Sequence, residues 1–262
     1  MAVKYIDINC DMGESYGRWT LGADEEVMPH ITSANVACGF HGGDPHVMRK
    51  TVELALQHGV AVGAHPGLPD LVGFGRRRME VTPQELKDYH RYQTGALAAF
   101  ARAAGTRLQH VKPHGIQYHM FEENLGLARV TAEQVVELDP DLILMTMAMT
   151  RYDAEARKVA GVRIAAEGFA DRVYADDGQL VSRKLGKDAL VSDPAKAADQ
   201  AVRMAMEGKL RTITGKVIDV KVETICIHGD SPGAEKIVAA VREGLVKAGA
   251  VVKPLREWLP KA

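Results

Sequence analysis

Ionisable side chains set beside glycines recur along this 262-residue sequence, and their types are those that bind metals, move protons and hold anions. The segments are NCDMGESYG with Asn9, Asp11 and Glu14; GFHGGDP with His41 and Asp44; AHPG with His65; KPHG with Lys112 and His114; EGFADR with Glu167, Asp171 and Arg172; and HGD with His228 and Asp230. Asp11, His41, His65, His114 and His228 offer the donor types of a divalent-cation site. The same set, with Lys112 or Arg172 stabilising an anion, would serve acid–base catalysis. Spacing along the chain does not separate the two uses. No GxxxxGK[ST] phosphate loop occurs in the sequence.

Ordinary structural roles compete for several of these residues. Asp44 precedes Pro45, and Asp230 precedes Ser231 and Pro232, so each also reads as a helix N-cap. His30, His46, His58, His90 and His110 fall in or beside helical and strand patterns and read as surface or packing residues, while His119 lies in the helix after KPHG. Arg76, Arg77 and Arg78 follow DLVGFG; they form a solvated loop or hold a phosphate or carboxylate, with Arg76 and Arg77 the candidates for touching substrate. Cys10, Cys38 and Cys226 are far apart and odd in number, which fits small core thiols kept reduced rather than a disulfide framework.

The elements that must position these residues alternate along the chain. Short apolar runs predict strands at 4–9, 31–38, 60–64, 108–112, 142–148, 162–167 and 224–228, and amphipathic spacing predicts helices near 45–58, 83–104, 116–138, 152–160, 194–207 and 232–248. Thr82 to Glu85 spells a capping box, and Gly59, Gly105, Gly161 and Gly249 stand where helices should stop. A period-two stretch at 211–222 predicts a hairpin before the last strand. Alternating strands and helices give parallel strands joined by crossovers. Seven strands with no linker or compositional break predict a single seven-stranded (β/α) barrel domain over 1–262, with an open doubly wound sheet as the rival. In either architecture sites form beyond the C-terminal ends of strands. Six of the seven predicted strands place ionisable residues there. The fifth does not, and Thr146 and Thr150 are its nearest polar groups.

Thirty-three basic residues against thirty-four acidic ones give a net charge of -1. That balance argues against nucleic acid or an anionic membrane as partner. No apolar run approaches the ~18 residues a membrane span needs, and the N-terminus lacks a signal-like apolar region, so the expectation is a soluble, cytoplasmic protein.

In order and spacing, DINCDMGE, SANVACGFHGGDP, VGAHPGLPDLVGFGRR, HVKPHG, FADRVY and ICIHGDSPGA resemble the LamB/YcsF lactam-utilisation family, from Asp7 to about Gly249. The resemblance implies a barrel of the glycoside hydrolase/deacetylase superfamily. It also implies ATP-dependent opening of 5-oxo-L-proline to L-glutamate, with ADP and phosphate formed, in concert with two partner subunits, B and C. Its motif residues map onto Asp11, His41, Asp44, His65, Lys112, His114, Glu167, Asp171, Arg172, His228 and Asp230; all of these but Asp44 are the expected catalytic positions, and Asp44, with Asn9, Arg76 and Arg77 from the strand-end and loop readings, is an expected substrate contact. A divalent metal, the place of ATP and self-association are left open. The chain reads KPHGIQYH where the family usually has KPHGALYN, so His119 replaces an asparagine, and Ser15 stands where glycine is common. The first change bears on specificity rather than reaction class.

Overall fold

The computed structural model describes residues 3–182, 188–229 and 233–261. Its first strand, β1 (Lys4–Met12), is followed by a short helix α1 (Asp24–Val27), β2 (Ser33–Ala37), α2 (Pro45–Gln57), β3 (Ala61–His65) and the long α3 (Pro83–Ala103). Next come β4 (His110–Val111), α4 (Gln117–Glu123), α5 (Leu125–Leu138), β5 (Ile143–Met147), α6 (Arg151–Ala156) and β6 (Arg163–Phe169). The chain ends with α7 (Pro194–Val202), the strands β7 (Lys209–Arg211) and β8 (Val217–Asp219), then β9 (Thr224–Ile227), α8 (Ala234–Lys247) and β10 (Ala250–Val252).

Seven strands pair in the order β1-β2-β3-β4-β5-β6-β9, all parallel, and β9 returns to β1 through Asp7–Cys10 against Thr224–Ile227. The ring is therefore closed, as the seven-strand reading expects, and the open-sheet rival is excluded. The strand β10 sits outside the ring on the free start of β1, pairing Lys4–Ile6. The β7–β8 hairpin spans Lys209 to Asp219, starting two residues and ending three residues earlier than the alternating stretch at 211–222.

Local chemistry sets the element ends. Thr82 and Glu85 exchange both bonds of a capping box, with Pro83 at the first helical position. Asp193 caps α7 before Pro194. The helix expected over 116–138 is two helices: Asn124 leaves helical geometry and its side chain accepts from the Gly126 amide, ending α4 and starting α5. The expected cap at Asp230–Pro232 lies outside the described residues.

Along β1 the period-two alternation divides two environments. Ile6, Ile8, Cys10 and Met12 join the apolar core, where each buried aliphatic side chain contributes about 1.5–3 kcal/mol. Asp7, Asn9 and Asp11 instead reach side chains on β2, β9 and the end of β4, and so face the barrel interior. Gly63 on β3 makes that interior possible, since a Cβ there would overlap the His110 ring. Among the described residues no helix is long and apolar enough to cross a membrane.

Candidate functional site

At the C-terminal mouth of the barrel the fourth strand delivers Lys112, whose side chain is almost wholly buried. Its Nζ lies 2.8 Å from Asp11 Oδ1, 3.2 Å from Glu167 Oε2 and 3.1 Å from Cys226 Sγ. Burial alone would push the ammonium pKa down. The Asp11 and Glu167 charges outweigh it and hold Lys112 well above the usual lysine value. Burial likewise acts to raise Asp11, but His65 and Lys112 hold it well below the usual carboxylate range, so it is ionised. The Tyr118 hydroxyl donates to Glu167 Oε1, and burial with that neighbouring charge pushes the phenol well up. Beneath this group, the Asn35 amide donates to both Asn9 Oδ1 (2.8 Å) and Asp11 Oδ1 (2.9 Å). His110 Nε2 donates to Asn35 Oδ1 at 2.7 Å and so fixes which way that amide faces. Burial pushes the His110 pKa down to about 3, so the ring is a neutral donor.

Three histidines gather on one side of Asp11. His65 Nδ1 lies 2.7 Å from the Lys112 carbonyl, and His114 Nε2 lies 2.8 Å from the Phe74 carbonyl. Carbonyls only accept, so both nitrogens carry protons. The remaining nitrogens, His65 Nε2 and His114 Nδ1, face each other at 2.9 Å. His41 is fully buried and stacks on His114, with ring centroids 3.5 Å apart. Its Nε2 lies 3.4 Å from Glu14 Oε1, and Asp11 Oδ2 lies 3.4 Å from His65 Nε2. Burial, with the charges of neighbouring rings, keeps His41 and His114 well below the usual histidine pKa, hence neutral.

A cavity of about 300 Å³ opens above these groups, at the lower end of the range for small-molecule sites. Asp11, His65, Lys112 and His114 form one wall, and Arg76, Arg172 and His228 line it elsewhere, with His119, Met147 and Thr150 nearby. His228 Nδ1 is 2.8 Å from Asp171 Oδ2, which also accepts from the His228 amide at 3.0 Å. The arrangement holds the imidazole in one orientation with Nε2 as its other nitrogen, suited to moving a proton. The Arg172 guanidinium is anchored on the Ala189 and Val181 carbonyls. Arg76 lies over the Phe74 ring at 4.9 Å.

Several expected site residues sit elsewhere. Asp44 caps α2: its carboxylate accepts from the His46, Val47 and Gly17 amides and is not on the cavity wall. Arg77 turns back to pair with buried Asp70 and ties the 70–77 loop, leaving Arg76 alone of the two at the cavity. Asn9 lies below the site, donating to Thr224 and accepting from Asn35 and Lys112. His41 and Glu167 stand behind the wall rather than on it. Asp230 lies outside the described residues. His90 and His110, read as surface or packing residues, are both fully buried, His90 against Gln117 at 2.5 Å. Sequence reasoning gives no role to Asn35 or Tyr118. Asn35 sits in a strand interior, where a polar residue amid the apolar SANVA run was the available signal.

The chain's likeness to known proteins runs nearly end to end. The profile of the LamB/YcsF family matches residues 6–260. The chain is 49% identical over 254 residues to the 5-oxoprolinase A subunit of Pyrococcus horikoshii, covering 97% of this chain and 99% of that one. It is 50% identical over 242 residues to the protein of the same name from Alkaliphilus metalliredigens, covering 92% and 94%. A solved structure described as the lactam utilization protein from Thermus thermophilus superposes with a TM-score of 0.89 at 46% identity, covering 95% of this chain and 99% of that one.

Proposed function

We propose, starting from the fact that this chain belongs to the LamB/YcsF family, that it is the A component of an ATP-dependent 5-oxoprolinase working with B and C subunits. The reaction opens 5-oxo-L-proline to L-glutamate while ATP becomes ADP and phosphate. The observation that carries the reading is the buried Asp11–Lys112–Glu167 group, with Asp11 and Lys112 on the floor of a small cavity edged by Arg76 and Arg172 and Glu167 behind them. The names of the relatives support the substrate class.

The chemistry explains why such a floor is useful. A five-membered lactam is a resonance-stabilised amide that water attacks slowly. Transfer of the ATP γ-phosphoryl group to the carbonyl oxygen makes the ring carbon electrophilic. One water then adds to that carbon, the C–N bond breaks, and the nitrogen leaves with a proton as the amine. A second water releases phosphate, so two waters are consumed for each lactam and ATP. The Lys112 ammonium, held charged by Asp11 and Glu167, stabilises negative charge on the carbonyl or phosphoryl oxygens. The two arginines hold the substrate carboxylate, Arg172 from a guanidinium already fixed by backbone carbonyls. His228, oriented by Asp171, moves the proton to the leaving nitrogen, a contribution of roughly 10²–10⁴-fold. The sequence lacks a Walker-type loop and the cavity is small, which favours placing much of the nucleotide against a partner protein. One barrel domain over 1–262 completes the proposal.

Asp11→Asn tests it with the B and C subunits present. Turnover lost with lactam binding retained supports chemistry on this chain. Loss of both together would assign the chain a binding role only. The facing His65 and His114 nitrogens favour a second reading, amide hydrolysis at a metal without ATP; glutamate formed by the isolated chain without nucleotide would select it.

A further inference from the structure

Protein atoms alone leave the pairing of His65 with His114 incomplete. Each ring commits one N–H to a backbone carbonyl, at 2.7 Å and 2.8 Å, which is how metal-bound histidines are commonly held. If both rings are neutral, the two nitrogens facing each other at 2.9 Å both present lone pairs, which repel. A positive charge must therefore sit at this point, either a proton or a metal ion.

Three further observations bear on which. Glu14, His41, His65 and His114 each offer a donor atom, all within 4.8 Å of one another, and all four residues are buried. His41 is completely buried, yet neither ring nitrogen has a hydrogen-bond partner, and Nε2 points towards Glu14. Such a group carries a desolvation cost unless something else completes it. Finally, two buried carboxylates border the imidazoles, Glu14 at 3.4 Å from His41 Nε2 and Asp11 at 3.4 Å from His65 Nε2. Their charge favours a cation among the rings, as buried carboxylates commonly coordinate metals.

We propose that His65 Nε2, His114 Nδ1 and the Glu14 carboxylate bind one first-row divalent transition-metal ion. Nitrogens 2.9 Å apart subtend roughly 90° at an ion about 2.1 Å from each, the angle between neighbouring ligands of an octahedron. His41 lies parallel to His114 and so cannot direct a lone pair at the same ion in this pose. It buttresses the His114 ring and becomes a ligand only by turning. Because His65 and His114 line the cavity, the ion faces it, and the remaining positions are open to water or to a substrate oxygen. Mixed imidazole and carboxylate donors suit manganese, cobalt, nickel or zinc rather than calcium or magnesium. The inference stands apart from the lactam reading, because metal content is read on the isolated chain.

The test is metal analysis of the purified chain after chelator treatment and titration with Mn²⁺, Co²⁺ and Zn²⁺, with Co²⁺ absorption as the spectroscopic readout. One equivalent per chain with at least one of these ions is expected. Glu14→Gln and His114→Gln should each weaken binding by about tenfold or more, and the exposed His46→Ala should not change it. Should His114→Gln fail to fold, Glu14→Gln, nearly identical in shape, decides the matter. No stoichiometric binding by any of the three ions overturns the proposal, as does binding that survives Glu14→Gln unchanged. Nitrogen NMR showing His65 protonated on both nitrogens after the titrations would give the positive charge to a proton, also against it.

Discussion

Lys112 Nζ sits 2.8 Å from Asp11 Oδ1, joining the fourth strand to the first across the barrel interior, with both side chains buried. A buried pair of this kind is poor evidence for stability, but breaking one side of it is costly. Lys112→Met leaves Asp11 and Glu167 buried without their cation, and should cost about 3–5 kcal/mol of unfolding free energy together with nearly all turnover. The double variant Lys112→Met/Glu167→Gln should recover part of the stability and none of the activity. Urea denaturation and steady-state assays separate the two; equal recovery of both would remove Lys112 from the chemistry.

Arg76 and Arg77 are adjacent in sequence and opposite in role. Arg76→Ala should raise KM for the lactam acid by about tenfold to a hundredfold with little change in kcat, because a charged hydrogen bond to the substrate is lost in ground and transition state alike. Arg77→Ala, which removes only the clasp on Asp70, should leave both constants near wild type. A larger KM effect at Arg77 than at Arg76 would reverse the assignment.

Gly67 packs against His41: a Cβ there would lie 2.5 Å from Nδ1 and 3.0 Å from the His41 Cβ. Gly67→Ala should therefore displace the imidazole and cut turnover severely. Overpacking of this kind typically costs about 1–3 kcal/mol of stability. A variant that melts lower yet turns over normally would show that the His41 position is unimportant.

Asp7 lies lower in the barrel, accepting from Thr32, Ser33 and Thr224. Burial raises its pKa from 3.8 to about 6, against the opposing effect of those hydroxyls. The folded state therefore holds its proton more tightly than the unfolded chain. Its contribution favours folding below pH 3.8 relative to neutral pH, declines as pH rises from 3.8 to 6, and is flat above. The stability of Asp7→Asn relative to wild type should accordingly rise by about 3 kcal/mol between roughly pH 4 and pH 7. Denaturant midpoints across that range check it; a gap independent of pH would contradict the raised pKa.

Much of this molecule is legible in its sequence, for physical reasons that also mark where legibility stops. Seven apolar runs separated by helical periods imply parallel strands, but only the pairing of β9 with β1 closes the ring and excludes the open sheet. The break at Asn124 is hidden because apolar spacing continues across it while one side chain caps the next helix. Strand-end polar residues beside glycine do mark the mouth of the barrel: Asp11, His65, Lys112, His114, Arg172 and His228 all line the cavity. Direction within a loop is not encoded by spacing, so Arg77 and Asp44 look equivalent to Arg76 until Asp70 and the α2 amides claim them. Nor does one strand reveal its register with the next. Asn35 and His110 meet only because the β2–β3–β4 alignment, with Gly63 between them, brings the two side chains together.

Whether lactam opening on this chain is driven by ATP, in company with partner proteins, is tested most directly by product stoichiometry. The chain is combined with B and C subunits, 5-oxo-L-proline and ATP, and both products are counted. Glutamate and ADP should form in equal amounts, and neither should rise above background when any one protein is left out. Glutamate released at an undiminished rate without ATP would contradict the proposed function, as would the absence of both products from the three folded proteins together.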